Sequence, residues 1–194
     1  MHIYLDDTIE SLDEAAIGKM IDELPEWRRQ QALRFRHLSG QCENAMAYML
    51  LCKGLTEKYG IDTTPEFIIG EHGKPFLKAH PDIHFNLSHC KKAVICVLHD
   101  QPIGVDIERT RPIKESLVDY TMSKREKEVI LGSENPEMEF TRLWTAKEAI
   151  VKLTGNGIQG KLQETLSEAK QKGIEINTVS SEEKGYAYSI AYYI

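Results

Sequence analysis

The run Val105-Asp106-Ile107-Glu108 constrains this chain most, because strict alternation of apolar and acidic residues is the signature of a strand with two unlike faces. Residues two apart on a strand share a face, so Asp106 and Glu108 point one way and Val105 and Ile107 the other. Two carboxylates side by side repel unless a cation or protons stand between them. Pro102 and Gly104 introduce the run as turn residues. Taken alone, the pair fits a solvent-exposed strand edge as well as it fits a site.

The stretch Phe140–Lys152 shifts that balance. At about 100° per residue, Phe140, Leu143, Trp144, Ile150, Val151 and Thr154 fall on one helical stripe. Lys147 sits in the middle of the stripe, Glu148 borders it, and Lys152 lies one turn beyond. Ordinary readings exist: an i,i+4 surface pair for Glu148 and Lys152, and a snorkelling stem with its amine in water for Lys147. Next to a strand with two acids, however, the three misfits point to a metal and phosphate site. Asp106, Glu108 and Glu148 would supply oxygen ligands to one hard cation, which suits magnesium. Lys147 and Lys152 would meet phosphate oxygens, as phosphoryl transfer requires. A metal-dependent nuclease and a purely structural cluster are the rival readings.

The bulk properties narrow the field. A chain of 194 residues is one domain or two small ones. Its net charge of −6 argues against nucleic-acid binding through a broad basic face. Cys42, Cys52, Cys90 and Cys96 show neither C-x-x-C spacing nor a disulfide framework, so reduced thiols in the cytoplasm are expected. The start MHIYLDDTIE lacks the features of a secretory signal, and no apolar run approaches membrane-span length.

In order, the chain predicts a strand at Met1–Leu5 and a helix over Ser11–Met20 with a Ser11/Glu14 capping box. A helix follows Pro25, and a long one starts at Ser39 or Gly40 and is closed by Gly60. Beyond Gly60, Phe67–Ile69 is a strand, and His84–Cys90 with Ala93–His99 form a hairpin that joins the Asp106 strand in one antiparallel sheet. Helices are predicted at Ile113–Tyr120, at Ser123–Leu131 with a Ser123/Glu126 capping box, and from Asn135-Pro136 to Thr154-Gly155-Asn156-Gly157. Strands at Ile174–Val179 and Tyr186–Tyr193, expected to pair as a hairpin across SSEEKG, complete the chain. Helices followed by antiparallel strands, seen twice, predict an α+β fold of two similar halves meeting near residue 102.

GVDIE followed by WTAKEAIVK resembles the signature pair of the 4′-phosphopantetheinyl transferases. Gly73–Phe76 (GKPF), Phe85–Cys90 (FNLSHC) and PIGVDIE extend the likeness to the larger, monomeric class of that superfamily. The resemblance implies a pseudo-dimer of α+β halves, residues 1–102 and 103–194, with coenzyme A in the cleft between them. It implies that Asp106, Glu108 and Glu148 hold Mg²⁺ and that Lys152 contacts phosphate with Lys147 assisting. Ser88 and His89 would grip the phosphates of the 3′,5′-ADP portion, and Gly73, Lys74 and Pro75 would line its adenine and 3′-phosphate end. The implied reaction is attack by a serine of an acyl or peptidyl carrier protein on the β-phosphorus, releasing 3′,5′-ADP, with Glu148 as the base directly or through a metal-bound water. A monomer in the cytoplasm, with neither nucleic acid nor membrane as partner, is expected. A degenerate module that binds coenzyme A or a carrier without transfer is the alternative. One departure is visible. The family commonly places an arginine on the 3′-phosphate from the start of the first long helix, where this chain reads SGQCENA with Glu43; Arg34, Arg36 or Lys74 would have to take over.

Overall fold

Two long helices, each laid on a three-stranded antiparallel sheet, set the architecture. The computed structural model describes residues 1–155 and 161–194. The predicted Asn156-Gly157 end of the second long helix therefore lies outside the described residues. In order the elements are β1 (His2–Asp6), α1 (Glu14–Asp22), α2 (Glu26–Leu33), α3 (Leu38–Tyr59), β2 (Phe67–Ile69), β3 (Pro75–Leu77), β4 (His84–Cys90), β5 (Ala93–His99) and β6 (Ile103–Arg109). Then come α4 (Glu115–Thr121), α5 (Lys124–Leu131), α6 (Pro136–Thr154), α7 (Thr165–Gln171), β7 (Ile174–Ser181) and β8 (Tyr186–Tyr193).

The helix ends follow local chemistry. Gly60 and Gly155 close α3 and α6 in the left-handed conformation, at φ 67° and 68°. The Asn135 side chain accepts from Met138 N ahead of Pro136, and the Ser123/Glu126 capping box forms at α5. The expected Ser11/Glu14 box does not cap α1. Ser11 closes a 3₁₀ turn, and the Asp13 carboxylate accepts from Ala16 N at 2.8 Å instead. Asp13 stands directly before the first helical residue, so it reaches the first-turn amides that Ser11 cannot.

Two three-stranded antiparallel sheets result, in the orders β1-β5-β4 and β6-β8-β7, with β2-β3 a separate hairpin. Both share one plan: first strand on one edge, then the long helix, then a hairpin whose last strand takes the centre. The fold is α+β. The expectation that the Asp106 strand joins the preceding hairpin in one sheet is corrected, because β6 pairs with β8 from Ile103↔Tyr192 to Arg109↔Tyr186. It meets β4 through side chains: Val105 N donates to Asn86 Oδ1 at 2.8 Å and Ile107 N to Ser88 Oγ at 3.2 Å. Two polar side chains on one face of β4 thus take the place of ladder carbonyls along the seam.

The two sheets share an apolar core. Along β5, Val94, Cys96 and Leu98 pack with α3, while Ile95 and Val97 meet Val105, Ile107 and Ile190. Val105 and Ile107 are therefore core anchors, and the opposite face of β6 presents its acids. The buried face of α6 is shifted from the stripe the sequence predicted. Of that stripe Phe140 and Ile150 are buried and Leu143, Trp144, Val151 and Thr154 half-buried. Thr141, Thr145, Ala149 and Leu153 are buried, because β6 and β8 cover one side of the helix and α5 and α7 the others.

Gly104 sets how closely β6 lies on α6. A Cβ there would stand 2.1 Å from Ala149 O and 2.4 Å from Leu153 N, both backbone atoms. Gly104→Ala should therefore force β6 and α6 apart and lower stability by about 1–3 kcal/mol or more, read as a reduced urea midpoint with little change in m. An unchanged midpoint would show that the helix can retreat freely.

Candidate active site

The acids of β6 and the polar edge of α6 converge at the seam. Asp106 is 5% exposed. Its Oδ1 accepts from Ser88 Oγ at 2.9 Å and from Lys152 Nζ at 2.7 Å, and Lys152 Nζ also donates to Ser88 Oγ at 2.9 Å. Ser88, Asp106 and Lys152 come from β4, β6 and α6, so one knot joins both sheets to the long helix. Asp106 Oδ2 is buried with no hydrogen-bond partner among the described residues. A bare carboxylate oxygen in a buried place is costly unless something is meant to meet it.

Glu108 and Glu148 stand near enough to feel Asp106. Burial raises the carboxyl pKa of Glu108, and the Asp106 charge adds to it. Glu148 is raised the same way, by burial first and then Asp106, with Lys152 opposing. The donor set is three hard oxygen-bearing groups with one orphaned oxygen, which fits a small divalent cation. Among the described residues these carboxylates do not close into a ready metal cluster; the Lys152 ammonium lies against Asp106 instead.

Two lysines sit differently from expectation. Lys147 is 0% exposed, and its ammonium donates to Glu126 Oε2 at 2.8 Å and to Leu162 O at 2.7 Å. It neither snorkels nor faces the carboxylate knot, so the expected phosphate contact is corrected to a buried ion pair. The reason is tertiary: the face of α6 that carries Lys147 is covered by α5 and by the 3₁₀ turn Leu162–Glu164. Glu126 is the same residue that caps α5 through Ser123 N. No sequence spacing signals that pair. Lys74 places its ammonium on Lys152 O at 2.6 Å, Leu153 O at 3.2 Å and Ile103 O at 3.3 Å.

The remaining predicted residues line a groove. Gly73, Lys74 and Pro75 border a cleft of about 220 Å³ together with Asn86 and Lys152. Gly73 and Pro75 also border a larger cavity of about 850 Å³ with Arg28, Arg34, Tyr48 and Phe67. Lys152 thus stands at one end of a path that leads past Gly73 to two arginines. Arg28 is held in that wall by Gln31 and Asn44 O and stacks on Tyr48 at 5.2 Å. Arg28, Tyr48 and Asn86 escaped the sequence reading; the one signal in the sequence was that Asn86, two residues before Ser88, shares its strand face. His89 is turned to Glu43, with Nδ1 2.8 Å from Oε2.

The raised carboxyls have a thermodynamic consequence. Between the ordinary glutamate value and the raised one, the folded state holds protons that the unfolded chain has released, so stability falls as pH rises through that window. Glu148→Gln removes this cost. It should raise the urea midpoint near pH 7, and the gain should vanish as pH drops below about 4.3. A pH-independent gain would assign the effect to packing rather than charge.

The comparisons with known proteins join this geometry. A profile described as the 4′-phosphopantetheinyl transferase superfamily matches residues 102–191. The chain is 34% identical over 134 residues to the 4′-phosphopantetheinyl transferase Sfp of Bacillus subtilis, covering 68% of this chain and 60% of that protein. It is 32% identical over 174 residues to the 4′-phosphopantetheinyl transferase psf-1 of Bacillus pumilus, covering 85% and 74%. The transferase AcpT of Salmonella typhimurium is 40% identical over 97 residues, covering 47% and 50%. With β6 and α6 both inside the matched region, the chain belongs to the 4′-phosphopantetheinyl transferase superfamily.

Proposed function

We propose that this protein transfers the 4′-phosphopantetheine group of coenzyme A to a serine of an acyl or peptidyl carrier protein and releases 3′,5′-ADP. The observation that carries the reading is the orphaned Asp106 Oδ2 beside Glu108 and Glu148, with the Lys152 that pairs with Asp106 lining a groove that runs past Gly73. Asp106, Glu108 and Glu148 would hold Mg²⁺. That ion would neutralise the pyrophosphate and stabilise charge gathering on the leaving phosphate.

The chain's own residues account for the rest. Gly73 and Pro75 line the nucleotide end, where Gly73 at φ 83° brings the backbone close without a side chain. Lys152 releases Asp106 and turns its ammonium to the pyrophosphate as phosphate enters the groove, since one cation cannot serve both at full strength. Ser88 keeps Asp106 oriented by donating to Oδ1. Glu148, its carboxyl pKa pushed up by burial, is suited to take the proton of the carrier serine as the serine oxygen bonds to the β-phosphorus. The bond from that phosphorus to the bridging oxygen breaks, and 3′,5′-ADP leaves. The halves 1–102 and 103–194 flank the groove, and a monomer in the cytoplasm with coenzyme A and a carrier as partners completes the reading. No described helix is long and apolar enough to cross a membrane.

Incubating the protein with coenzyme A, Mg²⁺ and an apo-carrier should add one phosphopantetheine mass to the carrier, seen by intact-protein mass spectrometry. Chelation should abolish the gain, and Glu148→Gln should slow it by about a hundredfold or more. Coenzyme A binding without mass gain on several carrier types would identify a binding module instead.

The 3′-phosphate should be weakly recognised, because Glu43 stands on His89 where a basic residue is usual. Dephospho-coenzyme A should then be used within about tenfold of coenzyme A in kcat/KM, whereas a dedicated charge-assisted clamp would discriminate ten- to a hundredfold. A larger preference, lost in Arg34→Ala, would give the clamp to Arg34 in the cavity wall.

A further inference from the structure

Lys74 lies on the corner between the 3₁₀ turn Glu71–Gly73 and β3, in the first half of the chain. Its ammonium has three protons, and three carbonyl oxygens receive them: Ile103 O on β6, and Lys152 O and Leu153 O in the last turn of α6. The last carbonyls of a helix lack intrahelical partners and carry the negative end of its dipole, so a cation there is favourable. Gly155, which ends α6, leaves room for the stem; even a Cβ there would sit 3.7 Å from Lys74 Cδ.

The hairpin that carries Lys74 needs such an anchor. β2 and β3 form a two-stranded sheet of their own, and Ile68, Ile69 and Phe76 are exposed. An isolated two-stranded hairpin is marginal in water. On one side Phe67 holds it, packed edge-on to Trp27 and tilted against Phe85. On the other side stands Lys74.

We infer that Lys74 is a positioning residue: it clasps the β2–β3 hairpin to the C-terminal turn of α6 and thereby fixes the backbone from which Lys152 reaches Asp106. It is not a phosphate ligand, since its three donors are engaged. Lys152 is tied at both ends, its carbonyl to Lys74 and its ammonium to Asp106 and Ser88. Loss of the clasp leaves the ammonium on a turn that can shift, and an ångström of misplacement is enough to cost a large part of a rate. The kinetic consequence rests on the transferase reading above; the clasp itself does not.

Hydrogen–deuterium exchange on the ligand-free protein therefore comes first, followed by calorimetric binding of coenzyme A and transfer kinetics. In Lys74→Met, peptides covering residues 67–77 and 150–155 should exchange about tenfold faster, the scale of losing a cation from a helix C-terminus. The Kd for coenzyme A should stay within about twofold, while kcat falls roughly ten- to a hundredfold. Lys74→Arg, which keeps a cation with several donors, should restore protection and most of kcat. Should Lys74→Met fail to fold, Lys74→Gln, a shorter neutral donor, gives the same comparison at intermediate size. Unchanged exchange together with a Kd raised about tenfold or more would overturn the clasp and return Lys74 to the ligand site. If the wild-type protein transfers nothing, the transferase reading fails, and the exchange comparison still decides the clasp.

Discussion

The Ser88 hydroxyl gives its one proton to Asp106 Oδ1 and accepts from Ile107 N and from Lys152 Nζ, so a single side chain completes the join between two sheets and a helix. With Asn86 two residues earlier, it replaces the backbone ladder that β4 and β6 do not form. A side-chain seam has a property that a ladder lacks. It lets two sheets abut without merging, and it leaves polar atoms at the join that can be shared with chemistry. Asp106 carries such atoms, with one oxygen committed to the seam and the other unpartnered among the described residues.

The same strand shows why such an arrangement survives. On one face Val105 and Ile107 are completely or almost completely buried against Ile95, Val97 and Ile190. On the other, Asp106, Glu108 and nearby Glu148 crowd negative charge into a partly desolvated space. The apolar face fixes the strand firmly enough to hold the acids where they repel each other. Gly104 serves the same end by letting α6 approach β6 to backbone contact, which brings Lys152 and Glu148 to the acids.

Three lysines of similar standing in the sequence end in three environments. Lys152 compensates Asp106 at the groove, Lys147 is sealed against Glu126 and Leu162 O, and Lys74 caps the end of α6. A buried ammonium must find a carboxylate or carbonyls, because its desolvation is costly otherwise. Lys147 meets that need inside the second half, where its partner Glu126 also caps α5 and so ties α5 to the helix of the site. Lys74 meets it across the chain, 78 residues from Lys152 in sequence.

Much of the fold was legible because the signals are local. The alternation in Val105–Glu108, the Asn135-Pro136 and Ser123/Glu126 starts, the Gly60 stop and the two hairpins depend on residues a few positions apart, and each appears in the structure. The motif residues Asp106 and Lys152, expected to meet a metal and a phosphate, meet each other in the structure. What the sequence by itself could not determine is which face of α6 would be covered, and by what. A stripe of apolar residues shows that a helix is buried on one side; whether another side is also sealed depends on α5 and the Leu162 turn arriving there. The same holds for the seam, where β6 pairs with β8, far along the chain, rather than with its sequence neighbour. Pairing of strands and lysine partners are long-range choices, decided by which surfaces must be covered together, and only the tertiary structure makes them.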